Sequence, residues 1–139
     1  FGYSLSCAGD VNGDGYSDIV IGTNGNQNFN SHNVGAYVFC GSASGITGSI
    51  PSWTASTPFN VTLIGFGVKV SNAGDVNGDN FDDIIVGASN WSEDSYGKAL
   101  VYFGNLNTPN SNSKLHFFAI STVLLTALSY LPKTSCTSS

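Results

Sequence analysis

Two short acidic stretches carry most of the charge of this chain. They read "GDVNGDGYSD" at 9–18 and "GDVNGDNFDD" at 74–83, and together they hold seven of the nine acidic residues. Both follow the pattern D-x-N-x-D-[GN]-x-x-D, with oxygen-bearing side chains at positions 1, 3, 5 and 9. These residues are Asp10, Asn12, Asp14 and Asp18 in the first stretch and Asp75, Asn77, Asp79 and Asp83 in the second.

Alternating oxygen side chains on a tightly curled loop can converge on a hard cation. Ca²⁺ takes about 6–8 oxygen ligands, whereas Mg²⁺ keeps its waters and seldom uses an all-protein cage. Position 6 needs a sharp turn, which Gly15 adopts freely and Asn80 tolerates best among other residues. At position 7 we expect Tyr16 and Phe81 to offer a backbone carbonyl while their rings pack into the core. The pattern therefore predicts two calcium sites, and the alternative is an Asx-rich turn without an ion.

The EF-hand begins with the same alternation but does not fit. It requires a bidentate Glu at position 12 and a helix on each side. Position 12 is Ile21 in the first stretch and Val86 in the second, and both flanks are typical of strands. We therefore expect Asp18 and Asp83, at position 9, to be the closing ligands.

The elements that position these loops belong to an internal repeat. Residues 1–24 align without gaps on 66–89, with 13 of 24 positions identical at an offset of 65. Further on, "AYVFCG" at 36–41 matches "ALVYFG" at 99–104 at an offset of 63. Each copy thus reads as strand, acidic loop, strand, variable loop, strand.

The strands predict an all-β fold. "YSLSCAG" and "VKVSNAG" are expected as first strands, "DIVIG" and "DIIVG" as second strands, and 52–56 as a fourth strand of the first copy. Continuous apolar runs of this length, bounded by glycine, indicate strands buried on both faces. We therefore expect antiparallel four-stranded blades of a β-propeller. The chain holds about one and three-quarter blades, so neighbouring blades or chains must complete a ring of about 4–8.

Two cysteines test this arrangement. Cys7 and Cys40 fall on the first and third strands of one blade. The intervening strand separates them by about 9.5 Å, which exceeds the limit of about 7 Å for a disulfide. We expect two buried free thiols, and the alternative is a disulfide in a rearranged partial blade.

The paired motifs resemble FG-GAP repeats, the blades of the integrin α-subunit propeller and of other surface proteins. Phe1-Gly2 and Phe66-Gly67 precede "AGDVNGDGYSD" and "AGDVNGDNFDD", and "GTN" and "GAS" stand at the Gly-Ala-Pro element without its proline. The resemblance implies a seven-bladed parent propeller with Ca²⁺ between the first two strands of a blade. It also implies an extracellular or cell-surface location, and an adhesive or scaffolding role in which protein or glycan ligands dock on propeller loops.

This resemblance divides the chain into three parts. Residues 1–64 form a first repeat, 65–104 the first three strands of a second, and 105–139 a polar linker and an apolar tail. Within the tail, 115–131 has three interpretations: a fourth blade strand, since His116 falls near the place of Trp53; a membrane helix; or foreign sequence. The chain starts at Phe1 and lacks Met, so we expect a fragment or a processed product.

Composition and motifs favour binding over catalysis. The net charge is −5 and Arg is absent, which argues against nucleic-acid binding. No hydrolase, zinc-protease or phosphate-loop motif occurs, and His32 and His116 have no motif partner, so we expect no enzyme activity. Trp53 and Trp91 are interpreted as packing residues. Sequons at Asn60 and Asn90 permit glycosylation on a secretory route. The alternative function is that of accessory repeats in a secreted or surface enzyme of phospholipase or polysaccharide-degrading type.

Overall fold

Every regular element described in the computed structural model is a β-strand. The structure describes residues 1–24, 35–46, 48–56, 63–91, 96–106 and 114–118. Within these ranges the strands form two antiparallel four-stranded sheets, each with its strands in chain order. The first contains β1 (Ser4–Gly9), β2 (Asp18–Gly22), β3 (Gly35–Phe39) and β4 (Trp53–Ser56), and the second β5 (Leu63–Gly74), β6 (Asp83–Trp91), β7 (Tyr96–Tyr102) and β8 (Lys114–Phe118). The predicted all-β fold of partial propeller blades is confirmed.

The first copy matches its predicted strands more closely than the second. β2 has the predicted bounds, and β1 begins one residue late. β5 begins at Leu63, five residues before the predicted start, because it pairs with a β6 that continues to Trp91. The β5–β6 register shifts between Phe66 and Lys69. Such a bulge bends a strand without ending it, so one long strand replaces the shorter prediction.

The first residues of the apolar tail form the fourth strand of the second sheet. β8 runs antiparallel to β7, with Leu115 opposite Val101 and His116 opposite Leu100. In the first sheet Trp53 pairs with Val38, the counterpart of Val101, so Leu115 takes the place of Trp53 and His116 follows it. The strand interpretation therefore holds for 114–118, and 119–131 lie outside the described residues. Within the described part, no helix is long and apolar enough to span a membrane.

The hydrophobic core lies between the two sheets, which stack face to face. Buried residues of both sheets form a single cluster. The first sheet contributes small side chains and the second contributes larger ones. They are Ala8, Val20, Ala36, Val38 and Ala55 from the first sheet, and Phe66, Val70, Ile84, Val86, Leu100 and Tyr102 from the second, with Ala88 as the one small side chain of the second sheet. Each sheet therefore has two different faces, one lined by small residues and one by large.

Matched positions in the two copies differ in burial because of this stacking. Phe66 and Val70 are 1% and 9% exposed, while their counterparts Phe1 and Leu5 are 77% and 75% exposed. The first sheet covers the large-residue face of the second. No described residue covers the matching face of the first sheet to the same degree. The two sheets are thus stacked head to tail, with unlike faces in contact.

The exposed face of the first sheet also explains the cysteines. Cys7 is exposed and Cys40 is half-buried, and both are free thiols. The expectation of free thiols is confirmed, but the expectation that both are buried is wrong. β2 lies between β1 and β3 as predicted, since Ile19 pairs with Cys7 on one side and Phe39 on the other. Cys7 lies on the uncovered face of the first sheet, and its side chain would be buried only if another sheet packed on that face.

The Phe-Gly element of the second copy meets the first copy through backbone contacts. The Gly67 carbonyl accepts a hydrogen bond from the Ser4 hydroxyl at 2.8 Å. Gly67 has φ +84, and a Cβ placed there would lie 2.6 Å from the Gly35 carbonyl oxygen. A Cβ at Gly22 would in turn collide with the Gly67 carbonyl. Only glycine allows the two backbones to approach this closely.

Replacing Gly67 by alanine should therefore cost more than replacing its counterpart. Gly2 has a similar φ of +75, but nothing lies within 4 Å of a Cβ placed there. Gly2→Ala should lose only the roughly 1–2 kcal/mol of a left-handed alanine. Gly67→Ala should lose about 1–3 kcal/mol more, because it adds overpacking. Urea unfolding of both variants measures the difference, and equal losses would show that close approach is not the constraint.

Candidate metal centres in the two acidic loops

The two acidic loops lie side by side at one end of the stacked sheets. The first loop joins β1 to β2 and the second joins β5 to β6, as predicted. The Asp82 amide donates to the Asp10 carbonyl at 3.0 Å. The Asn105 amide donates to the Val11 carbonyl, also at 3.0 Å. The second blade therefore rests directly on the first loop.

Each loop curls around the carboxylate at position 1. Asp10 Oδ1 accepts the amides of Gly13 and Asp14 at 2.7 and 3.0 Å, and Oδ2 accepts that of Gly15 at 2.8 Å. The matching bonds to Asp75 measure 2.7, 3.0 and 2.9 Å. The two loops thus share one conformation.

The turn at position 6 has the predicted geometry. Gly15 has φ +86 and Asn80 has φ +70, and among the described residues Asn80 is the non-glycine residue with positive φ. Both copies therefore pass through the left-handed region at the same point. Asn tolerates that region better than most residues do, so the second loop keeps its shape without glycine.

Positions 3 and 5 are tied to each other and to the backbone. Asn12 Oδ1 accepts the Asp14 amide at 3.1 Å, and Asp14 Oδ1 accepts the Tyr16 amide at 2.9 Å. The Asn12 side-chain amide donates to Asp14 Oδ2 at 2.9 Å, and the second loop repeats all three bonds. The two bonds from backbone amides are Asx-turn hydrogen bonds, and the third joins the side chains of positions 3 and 5. They shape the loop by themselves, so the loop conformation is compatible with an ion-free turn.

The carboxylates at position 9 are fully buried. Asp18 Oδ2 accepts the Val11 amide at 2.9 Å, and Oδ1 accepts the Gly41 amide at 2.8 Å. Asp83 makes the same two bonds, to Val76 and Gly104, each at 2.9 Å. Position 9 therefore ties the start of the loop to the end of the third strand. The sequence analysis missed this tie, although the glycine that closes "YVFCG" and "LVYFG" marks it in both copies.

Burial and like charge act together on these two carboxyls. Burial raises the pKa of both Asp18 and Asp83 above the ordinary value, and the carboxylates at positions 5 and 1 of the same loop raise it further. The backbone hydrogen bonds act in the opposite direction. Asp75 at position 1 is different, because the Asn80 amide and further backbone donors lower its pKa. Each loop thus combines one buried carboxylate at position 9 with exposed or half-buried carboxylates at positions 1 and 5 that repel it.

This donor set fits a hard divalent cation in chemistry but is not assembled as a cage. Each ionised carboxylate has about four lone-pair sites, so the hydrogen bonds described above leave acceptor capacity for an ion. Across the described ranges, no group of three or more His, Cys, Asp or Glu side chains is arranged to hold a metal. A bound ion would therefore require side chains of the loop, such as the exposed carboxylates at position 5, to move.

The aromatic residues at position 7 do not behave alike. Tyr16 is 44% exposed, so the prediction that its ring anchors the loop in the core is wrong. Phe81 is half-buried, and a Cβ on Gly13 would lie 2.5 Å from its ring. Phe81 therefore packs against the neighbouring loop and not into the core of its own blade. The backbone carbonyls of both residues stay predicted ligands.

Position 2 shows the same difference between the copies. Val11 is completely buried, whereas Val76 is 54% exposed. The second blade covers the first loop on this side, and the second loop has no described cover there. Sequence alone could not distinguish these two valines, because they stand in identical motifs.

The remaining residues of interest in the sequence either pack in the core or lie, entirely or with their side chains, outside the part of the chain that the structure describes. Trp53 packs edge-on against Tyr102 with ring centroids 4.9 Å apart, so its interpretation as a packing residue is confirmed. Burial raises the pKa of Tyr102 to about 12. His32 and Asn60 lie outside the described residues, as do the side chains of Asn90, Trp91 and His116.

Two stacked antiparallel four-stranded sheets, each with an acidic loop between its first two strands, define consecutive blades of a β-propeller. The model of the FG-GAP repeat matches residues 1–39 and 66–103, more than half of the chain. The chain belongs to the FG-GAP repeat family. Both matched segments contain a complete acidic loop.

Curated relatives agree with this assignment. The chain is 34% identical over 115 residues to integrin alpha-6 of Gallus gallus, covering 80% of this chain and 10% of that protein. It is 33% identical over 109 residues to integrin alpha-8 of Mus musculus, covering 76% and 10%. It is 38% identical over 90 residues to integrin alpha pat-2 of Caenorhabditis briggsae, covering 63% and 7%. The chain thus spans about a tenth of their length and is an integrin-like propeller module.

Removing the buried carboxylate at position 9 should destabilise the fold even without an ion. Asp18→Ala leaves the buried Val11 amide and the Gly41 amide without their acceptor, which should cost about 2–5 kcal/mol. Asp14→Ala is the control, since its bonds are exposed and its loss should be within about 1 kcal/mol. Urea unfolding in EDTA measures both. Equal losses would show that the two hydrogen bonds of Asp18 do not stabilise the ion-free fold.

Proposed function

We propose that this chain is a calcium-stabilised, integrin-alpha-like propeller module of an extracellular adhesion or scaffold protein. The observation that carries the proposal is the repeated loop, which in both copies curls around the position-1 carboxylate and brings it near the carboxylates at positions 5 and 9, where like charges repel. A divalent cation would neutralise that repulsion. Two ions would take the formal charge from −5 to −1, since each adds two positive charges.

Each ion would have a similar ligand set of side-chain and backbone oxygens. Ca²⁺ supplies positive charge and flexible coordination when bound, and the loop supplies the oxygens at positions 1, 3, 5, 7 and 9. The proposed ligands are Asp10, Asn12, Asp14, the Tyr16 carbonyl and Asp18, and Asp75, Asn77, Asp79, the Phe81 carbonyl and Asp83. We expect affinities near the ~0.1–1 mM range of extracellular modules, because the loops contain Asn at position 3 and are exposed at positions 3–6 in the second copy.

Calcium should bind at two sites and stabilise the fold. At 100 times the dissociation constant, the unfolding free energy should rise by about 2.7 kcal/mol per site. Calorimetric titration gives the stoichiometry, and urea unfolding in calcium against EDTA gives the stabilisation. Asp14→Ser and Asp79→Ser should each remove one site, and magnesium is the control ion. A chain that takes up no ion at millimolar calcium would contradict the proposal.

We also propose that a further blade covers the exposed large-residue face of the first sheet. This outer face consists of Leu5, Cys7, Ile19, Ile21, Tyr37 and Phe39. The matching positions on the second sheet pack against the first sheet. They include Val70, Ile84, Val86, Leu100 and Tyr102. The Phe1 ring lies across the outer face, 5.3 Å from the Tyr37 ring. The proposed further blade would pack its small-residue face on this outer face. It would belong to the same protein or to another chain.

An acidic residue on the outer face should reduce contact with such a neighbour. Stacking of the outer face of one chain on the small-residue face of another would appear as concentration-dependent self-association. Leu5→Asp should lower that association, because it places a charge on an apolar surface. Leu106→Asp is the matched control, since Leu106 is 77% exposed, close to the 75% of Leu5, and lies after β7. Sedimentation velocity across a concentration series measures association. The same reduction in both variants would argue against a specific face.

The proposed biological role follows the relatives. They are integrin alpha chains, and we propose for this chain protein or glycan ligands that dock on propeller loops, at the cell surface or outside the cell. We propose no catalysis, because the loop carboxylates are committed to backbone amides and to the ion. We propose 1–64 as the first repeat and 65–104 as the first three strands of the second, although β5 already begins at Leu63, and we place the fourth strand at β8 (Lys114–Phe118) within 105–139.

A further inference from the structure

Asp82 is the one acidic residue of the two loops that the ligand pattern does not use. It stands at position 8 of the second loop, but its partners belong to the first. Its Oδ2 accepts the Asp10 amide at 2.8 Å, and its own amide donates to the Asp10 carbonyl at 3.0 Å. Asp82 therefore holds both backbone polar groups of Asp10 from the neighbouring blade.

Asp10 is the centre of the first loop. Its carboxylate accepts three backbone amides, at 2.7, 3.0 and 2.8 Å. Fixing the backbone of Asp10 on both sides therefore fixes the carboxylate around which the loop curls. Gly9 leaves room for this contact, because a Cβ placed there would collide with the Asp82 carboxylate.

The contact is asymmetric, because only the second loop has an acidic residue at position 8. Position 8 of the first loop is Ser17, which is exposed, and position 8 of the second is the half-buried Asp82. Asp82 stands between two proposed ligands of the second loop, the Phe81 carbonyl and Asp83. The Phe81 ring also lies against Gly13 of the first loop. An ion that fixes positions 7 and 9 of the second loop would fix these contacts too.

We propose that Asp82 is a positioning residue that couples the two cation sites across the blade interface. It strengthens ion binding in the first loop although it belongs to the second, and an ion in the second loop strengthens binding in the first. By linkage, an ion in the first loop strengthens the second by the same factor. We expect a coupling of at least about 5-fold, the lower end of typical allosteric couplings. The inference rests on the proposed binding of calcium.

Terbium luminescence can follow the first loop separately. Tyr16 at position 7 can sensitise an ion in the first loop, while the second loop carries Phe81 there. Tyr16→Phe assigns the signal, because the component that it removes belongs to the first loop. Calcium displacement of terbium and calorimetry with calcium then give the affinities of both sites.

Three substitutions distinguish a positioning role of Asp82 in ion binding from a role in folding alone. Asp82→Ser installs the position-8 residue of the first loop and should weaken the first site at least about 5-fold. Asp82→Asn keeps an oxygen acceptor for the Asp10 amide and should restore most of that loss. Ser17→Ala, at the same position of the other loop, should change neither site by more than about twofold.

Disabling the second loop tests the coupling in the other direction. Asp79→Asn should weaken terbium binding in the first loop by the factor that Asp82→Ser produces, and combining the two should add little further loss. Unchanged first-loop affinity in both variants, with ion binding intact, would overturn the coupling and leave the calcium proposal standing. An unaltered chain that binds no ion in either loop would overturn both.

Discussion

The buried carboxylate at position 9 is the interaction on which both blades depend. Asp18 and Asp83 are the first residues of β2 and β6, and each accepts one amide from the loop and one from the end of the third strand. A single side chain thus fixes the loop, the start of the second strand and the end of the third. Because the group is buried, breaking either bond would leave a polar group without a partner. This explains how a chain with 9% charged residues tolerates acids inside its fold.

Local geometry could be predicted from the sequence because it depends on residues close together in the chain. Asn80 at position 6 correctly predicts a left-handed turn, and "DIVIG" correctly predicts β2 with its bounds. The position-9 acid was recognised as important, but its tie to Gly41 was not, since that contact spans 23 residues. Alternation and turn chemistry are local, whereas this tie requires the third strand to be in place.

Burial at the blade interface could not be predicted from the repeat, because it depends on whether an adjacent blade contacts each position. Val11 and Val76 stand in identical motifs, yet only Val11 is buried. Cys7 was expected to be buried, and it is exposed because its face has no covering sheet among the described residues. Asp82 resembles one more surface acid until the structure places it beside Asp10. In each case the presence or absence of a neighbouring blade decides the outcome.

The unlike faces of each sheet give the two-blade unit a polarity, as in a filament with distinct ends. One end presents aromatic and branched side chains, with the Phe1 ring across them. Heterologous contacts of this kind do not terminate themselves and end only by closing a ring or meeting a cap. Cys7 stands on that end with an exposed thiol. Its reactivity toward a thiol reagent would therefore distinguish a free end from one that has received its next layer.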